Sequence, residues 1–353
     1  MLSEATLPDG FDPSIYVSLH PDLIAAGVDG REHYLAYGFY EGRHWRKQYT
    51  FYIDVFSHCN LRCPSCLVGN NFGDIAHQPR GLMSAQLLGA ILDKAKSECD
   101  IRLIGLYNWT EPLLNPKLPE LVREVKSRDL VCSLSSNLNK LPDPERLLAE
   151  HPDHFRISLS GFTQPIYEIG HRDGQIEVVK RNMERLAKAH SAGASKTQIE
   201  VHYHLYRHNI DEVEPMKAFA ESHGFAFTTN HAYLMTVEKI IEFSEGRSTR
   251  EDLAIINQLL LPLDQALEVT SREQRSNECG LLENTVALDV NGNAMLCCGS
   301  SMQPANVVAN FLQMPLTEIQ KQRRQKPLCG TCMKLGLPDY FWPTSPELER
   351  LTY

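Results

Sequence analysis

Three cysteines, Cys59, Cys63 and Cys66, sit within the stretch SHCNLRCPSCL at residues 57–67, directly after the apolar run TFYIDVFS. Thiolates packed this closely in one loop suit metal binding. Four would close the coordination of a zinc ion or an iron–sulfur cluster, whereas three leave one position for a ligand that the protein does not supply. A second set lies far downstream: Cys279, then Cys297, then the pair Cys329-x2-Cys332. Four thiolates with a CxxC pair suit a zinc ribbon as well as a closed iron–sulfur cluster. Of the ten cysteines, Cys99, Cys132 and Cys298 fall outside both sets.

The chain that must position these groups has 353 residues, 42% hydrophobic and 22% charged. That is a globular composition with room for more than one folding unit. It has no run of apolar residues long enough for a membrane span, and its start, MLSEATLPDGFDPS, lacks the basic and apolar regions of a secretory signal. The protein is read as cytoplasmic, a compartment in which cysteines serve metals or redox chemistry rather than a disulfide framework. A net charge of -9 without a long basic stripe argues against a nucleic-acid partner and for a neutral, cationic or small-molecule substrate.

From residue 50, six apolar or β-branched runs (50–57, 101–108, 130–137, 154–161, 198–206 and 225–232) alternate with helical periodicity over 84–98, 117–128, 143–150, 175–192 and 210–223. Such alternation makes right-handed βαβ units and a parallel sheet. The expected fold class is α/β, a partial (β/α)6 TIM-like barrel over 49–235. A small helical module over 1–48 precedes it, with helical spacing around Ile15–Leu19, Leu23–Ala26 and His33–Tyr37 broken by Gly27 and Gly38. A helical connection over 236–270 and a cysteine-rich unit with the carboxy-terminal tail over 271–353 follow. In the latter, LENTVALDVNGNAMLCC has the form of a β-hairpin turning at Asn291–Gly292.

Active sites of such barrels lie at the carboxyl ends of the strands, where the runs here end in polar tails: FSHC, YNWTEP, SSN, SLSG and HYHLYRH. Alternation along the third strand puts Ser133, Ser135 and Asn137 on one face and Cys132, Leu134 and Ser136 on the other, which leaves Cys132 as an inert core thiol. On the fifth, Glu200, His202, His204 and Tyr206 share a face, and polar residues in that register belong in the lumen rather than against apolar helices. Each histidine there is either a structural hydrogen-bonding group or a contact to cofactor or substrate. Arg172, in EIGHRDG, is either a carboxylate clamp or half of a surface ion pair.

The pattern Cys59-x3-Cys63-x2-Cys66 after a first barrel strand resembles the signature of the radical S-adenosylmethionine (SAM) enzymes. The resemblance implies that three thiolates hold three irons of a [4Fe–4S] cluster, the fourth iron being open to the amino and carboxylate groups of S-adenosylmethionine. Ser65 stands where that family usually has an aromatic residue against the adenine, so the contact must come from elsewhere. Asn108-Trp109-Thr110-Glu111-Pro112 resembles the family's GGEP segment, implying cofactor contacts from its backbone carbonyls and from Glu111, with Thr110 in place of the usual glycine. Ser158-Leu159-Ser160-Gly161 resembles an SLDG-like segment and implies a contact from Ser158. Ser135, Asn137, His202, His204 and Arg172 complete the candidate cofactor-binding set. The implied chemistry is reductive cleavage of SAM to a 5′-deoxyadenosyl radical, which abstracts hydrogen from a C–H bond; the electron comes from a donor such as flavodoxin or ferredoxin.

Cys279, Gly292-x4-Cys297 and Cys329-x2-Cys332 resemble the carboxy-terminal twitch or SPASM modules of the same superfamily. No cysteine follows Cys332, so the single-cluster twitch form is the better match. It implies one auxiliary [4Fe–4S] cluster on Cys279, Cys297, Cys329 and Cys332. Cys298 either replaces Cys297 as ligand, sits unligated in the core, or faces the substrate as a hydrogen-atom donor, and the last role makes it the candidate catalytic residue. Electron loss to the tail cluster would make the reaction an oxidation; hydrogen return from Cys298 would make it an epimerisation. The segment PDLIAAG…HYLAYGFYEGR resembles a short module attached to bacterial glycosyltransferases and other surface-polysaccharide enzymes, which favours a carbohydrate-like or sugar-linked substrate. A peptide-modifying maturase is the alternative, and a non-catalytic metal-binding scaffold the alternative of another class.

Overall fold

A computed structural model of the chain describes residues 5–70, 79–193, 195–272 and 279–341. Six parallel strands lie side by side in chain order: β1 (Gln48–Ile53), β2 (Asp100–Gly105), β3 (Cys132–Ser136), β4 (His154–Leu159), β5 (Gln198–Leu205) and β6 (Ala226–His231). One face of this sheet presents Phe51, Ile53, Ile104, Leu134, Phe155, Ile157, Val201 and Tyr203 to a layer of helices, and all are buried. Each such side chain contributes about 1.5–3 kcal/mol. The helices answer at their own period: Ala85–Glu98, capped by Ser84, buries Leu88, Ile91, Leu92 and Ala95, one stripe of a 3.6-residue repeat.

The strands stop earlier than their apolar patterns suggest. β1 ends at Ile53 and β2 at Gly105; Asp54 N–H still donates to the Leu288 carbonyl and Leu106 N–H to the Ser133 carbonyl, and from Asn108 onward the β2 tail turns to a side-chain acceptor instead. The sheet also extends beyond six strands. β7 (Thr285–Leu288) lies parallel to β1 on its free edge, and β8 (Asn293–Met295) and β9 (Val307–Asn310) continue it antiparallel. The β7–β8 connection turns where the sequence suggests. Gly292 has φ +77°, and Asp289 Oδ1 accepts the N–H groups of Asn291 and Asn293 at 2.8 and 2.9 Å.

The helical connection after β6 is three helices, Val237–Ser244, Arg250–Ile256 and Leu263–Arg272. It breaks at Gly246, φ +70°, and restarts at a Thr249/Asp252 capping box. These helices share a second core with Leu337 and Tyr340. At the other end of the chain, short helices Pro13–Ser18, Pro21–Ala26 and Gly30–His33 enclose Tyr16, Leu23 and Tyr34 with Phe11 and Trp45 against them. No helix among the described residues is long and apolar enough to cross a membrane.

A side chain at Gly292 must adopt the left-handed region and would meet Ile91 Cδ1 at 3.2 Å. Gly292→Ala is expected to destabilise the apo-protein by about 1–2 kcal/mol in urea unfolding.

Candidate functional site

β1 runs straight into Asp54, a carboxylate 2% exposed. Its Oδ1 accepts the backbone N–H groups of Asn108, Trp109 and Thr110 and the Thr110 hydroxyl, at 2.7–3.1 Å. The tail of β2 is thereby wrapped around one oxygen. Next along that tail, Glu111 is 3% exposed; its carboxylate accepts Leu113 N–H at 3.1 Å and Asn137 N–H at 2.9 Å, while its own N–H donates to the His58 carbonyl at 3.1 Å. Burial pushes both carboxyls up, Asp54 to about 6 and Glu111 to about 7, outweighing the hydrogen bonds that oppose it.

The loop so anchored carries the three front cysteines, each partly buried. Asn137 Nδ2 donates to Cys59 Sγ at 3.6 Å and to Asn60 Oδ1 at 3.1 Å, and Leu61 N–H donates to Cys59 Sγ at 3.4 Å. The short helix Leu67–Asn70 rests on the backbone of Cys63 through Gly69, where a Cβ would stand 2.2 Å from the Cys63 carbonyl oxygen. Burial raises all three thiols, Cys59 to about 12, and Cys66 and Cys59 each raise Cys63 further. Burial thus keeps these thiols protonated until a cation displaces the protons.

Ladder register sets the opposite face of the barrel sheet. Arg156 pairs with Ser135 and Glu200, and Ser158 with His202, so these side chains line the lumen with Tyr52, Tyr107 and His204. Arg156 Nε donates to Glu200 Oε1 at 2.6 Å, Ser135 and Ser158 hydroxyls lie 3.1 Å apart, and His202 Nδ1 is 2.9 Å from Thr228 Oγ1. Burial first, then neighbouring cations or rings, brings His202 down to about 4 and His204 to about 3. Both are neutral near pH 7. Tyr206, at the end of β5, meets Ser65 Oγ through its hydroxyl and stacks on His208 at 5.1 Å. These three residues and Arg172 line a cavity of about 600 Å3 beside the cysteine loop.

Residues 53–220 match the profile of the Radical SAM superfamily. These residues form a radical SAM domain. Enzymes of this family use S-adenosylmethionine and a [4Fe–4S] cluster. A tungsten-containing aldehyde ferredoxin oxidoreductase cofactor-modifying protein of Pyrococcus furiosus is 24% identical over 197 residues, 54% of this chain and 53% of that protein. The match thus spans about half the length of this curated relative. Two solved structures share the fold: Streptococcus suis SuiB bound to S-adenosylmethionine, with 12% identity, 89% and 73% of the two chains covered and a TM-score of 0.54, and anSMEcpe with bound AdoMet, with 15% identity, 80% and 82% covered and a TM-score of 0.50.

The tail beyond that domain carries the second set of cysteines. Cys279 precedes the helix Gly280–Asn284, Cys297 follows β8, and Cys329 and Cys332 stand one turn apart on the helix Pro327–Lys334. Burial first, and then Cys297, Cys279 and Cys329, push the Cys332 thiol up. Cys298 packs, with Trp109, against Leu67, Ala287, Met295 and Met302, and Ala287 is the ladder partner of Tyr52. A hydrogen bond between the adjacent thiols brings Cys297 down to about 7 and holds Cys298 well above its ordinary value. Among the described residues no three His, Cys, Asp or Glu side chains converge as a single metal ion would require.

Of the other residues singled out by sequence, Arg172 is exposed at the rim of the cavity rather than in the lumen, and Ser160 is buried against His171 Nδ1 at 2.7 Å. Cys132 is wholly buried in the main core. Sequence reasoning missed Asp54, although a charge inside an apolar strand pattern was its signal. It also missed Arg156, which alternates with Ser158, and Tyr52 and Tyr107, whose rings lie 5.6 Å apart.

Asp54→Ala leaves three N–H groups without their acceptor and is expected to cost about 3 kcal/mol or more in urea unfolding; Asp54→Asn, which keeps an oxygen there, should cost less than half of that. His171, 6% exposed and stacked on Tyr167, is pushed down to about 3, first by burial and then by His204. Its contribution to stability is complete above the unfolded pKa of about 6.5 and is lost as pH falls. The unfolding free energy of wild type relative to His171→Asn should drop by about 1.4 kcal/mol per pH unit between 6.5 and about 4.

Proposed function

We propose that this radical SAM enzyme takes a hydrogen atom from a C–H bond of a carbohydrate-like small molecule held in the barrel lumen. What supports this reading is a lumen lined by Arg156, Glu200, His202, His204, Tyr52 and Tyr107 above the strands that lead into the Cys59, Cys63 and Cys66 loop, with Cys298 packed beside Leu67 and Trp109. Cys59, Cys63 and Cys66 would hold the open cluster. Spreading one thiol to each of three irons does not ask them to converge on a point. Bound there, the cluster and S-adenosylmethionine supply the 5′-deoxyadenosyl radical.

Asn137 steadies Cys59, and Glu111, its carboxyl buried against Leu113 and Asn137, holds the strand end where the cofactor's amino group would bind. Tyr206 and His208 offer the aromatic surface that Ser65 does not, so the adenine would lie in the cavity they share with Arg172. Ser135 and Ser158 are the remaining cofactor contacts. Arg156, Glu200 and two neutral histidines supply the mixture of donors and acceptors that a polyhydroxylated substrate requires, and a cofactor-modifying relative is in keeping with a small molecule. Cys279, Cys297, Cys329 and Cys332 would hold an auxiliary [4Fe–4S] cluster that accepts the substrate's second electron, giving an oxidation. The position of Cys298 supports a second reading, epimerisation, because it keeps its hydrogen and lies on the Tyr52 side of the tail set. A flavodoxin- or ferredoxin-like donor and a reducing cytoplasm complete the proposal.

Anaerobically reconstituted wild type should hold about eight irons and produce 5′-deoxyadenosine with dithionite. The Cys59, Cys63, Cys66 triple alanine variant should hold about four and produce none. Wild type with about four irons, bound zinc and no cleavage would overturn the reading. With a panel of nucleotide sugars in D2O, deuterium in the product that disappears in Cys298→Ala marks epimerisation, whereas unlabelled oxidised product marks the auxiliary cluster as acceptor.

A further inference from the structure

Arg323 is the largest fully buried side chain among the described residues, 1% exposed on the helix Leu316–Arg324. Its guanidinium is nailed in place by neutral acceptors: Nε donates to the Leu296 carbonyl at 2.7 Å, and Nη1 to the Thr285 carbonyl at 2.7 Å and to Gln320 Oε1 at 2.8 Å. Nη2, equally buried, has no hydrogen-bond partner among the described residues, and no carboxylate among them forms an ion pair with the group. A guanidinium buried without a counter-charge is strongly unfavourable. Its anchors locate where that charge belongs. Leu296 immediately precedes Cys297, Thr285 follows the helix that begins after Cys279, and the next helix carries Cys329 and Cys332. The groups Arg323 feels are Cys297, Cys298, Cys329 and Cys279.

We propose that Arg323 is the charge partner of the auxiliary cluster, with Nη2–H donating to a cluster or thiolate sulfur and the fixed positive charge favouring the reduced form. This rests on the reading of the four tail cysteines as cluster ligands. Arg323 is a positioning and tuning residue: it braces the segments that carry Cys279 and Cys297 through the carbonyls it binds and sets how readily the cluster takes an electron. The role distinguishes an electron-accepting cluster from a structural staple, which has no need of an uncompensated cation beside it.

The test uses full-length protein with the front cysteines replaced by alanine, so that only the tail cluster is observed. Redox titrations followed by electron paramagnetic resonance compare Arg323, Arg323→Lys and Arg323→Gln. Arg323→Gln should retain about four irons while its midpoint falls by about 59 mV, a tenfold change in the one-electron equilibrium, and Arg323→Lys should fall between it and the parent. Arg323→Gln with four irons and the parent's midpoint would reduce Arg323 to a carbonyl staple and overturn the proposal. If neither variant folds, the parent grown with 15N-arginine decides: nitrogen hyperfine coupling to the reduced cluster supports the N–H···S contact, and its absence overturns it. A parent that binds no iron refutes the cluster reading itself, and this inference with it.

Discussion

The buried Oδ1 of Asp54 gathers three N–H groups and a hydroxyl from the tail of β2, and the positions of most chemical groups above the sheet descend from that gathering. With Thr110 held, Glu111 turns inward and reaches Leu113 and Asn137; with Asn137 held, its amide reaches Cys59 and Asn60. The ends of β1, β2 and β3 are thus joined by one polar relay. Such a relay suits a cysteine loop whose inner face must stay open, because apolar packing would have to fill that space. Buried polar groups are costly unless each finds a partner, so the relay holds as a unit.

Much of the fold was legible because each central strand is apolar on its helix-facing side and each helix buries a single stripe, so both periodicities survive in the sequence. Strand ends were less legible. Where the β2 run gives way depends on the Asp54 carboxylate, which takes the N–H groups of Asn108, Trp109 and Thr110 from the end of another strand. The pairing of β7 with β1 was hidden for a different reason: TVAL fits an edge anywhere, and its partner lies far back in the chain. Nothing in LTEIQKQRR, a helix rich in charge, marks Arg323 as buried. Only the carbonyls of Leu296 and Thr285, which come from other elements, pull it inside.

At the site, the cysteine spacing and the polar alternation on β5 were visible, while the pairing that makes a lumen of them was not. Ser135 and Ser158 meet across a ladder, and Arg156 meets Glu200 likewise. The same register separates the two cysteine sets. Front cysteines follow the carboxyl end of β1, whereas Cys297 follows β8, which returns to the amino end of β7. Arg323 ties Leu296, the residue before Cys297, to Thr285 at that amino end. Leu67, Ala287, Met295 and Met302 occupy the space near Cys298 and Trp109.

β1 has one neighbour that is made soon after it and one that is made last. β2 begins at Asp100, but β7 begins only at Thr285. During synthesis the first six strands are available for pairing while one edge of β1 is bare, and a bare edge recruits foreign strands. The late hairpin closes that seam. Aggregation of a ribosome-bound chain should accordingly peak in the interval before Thr285–Leu288 leaves the exit tunnel.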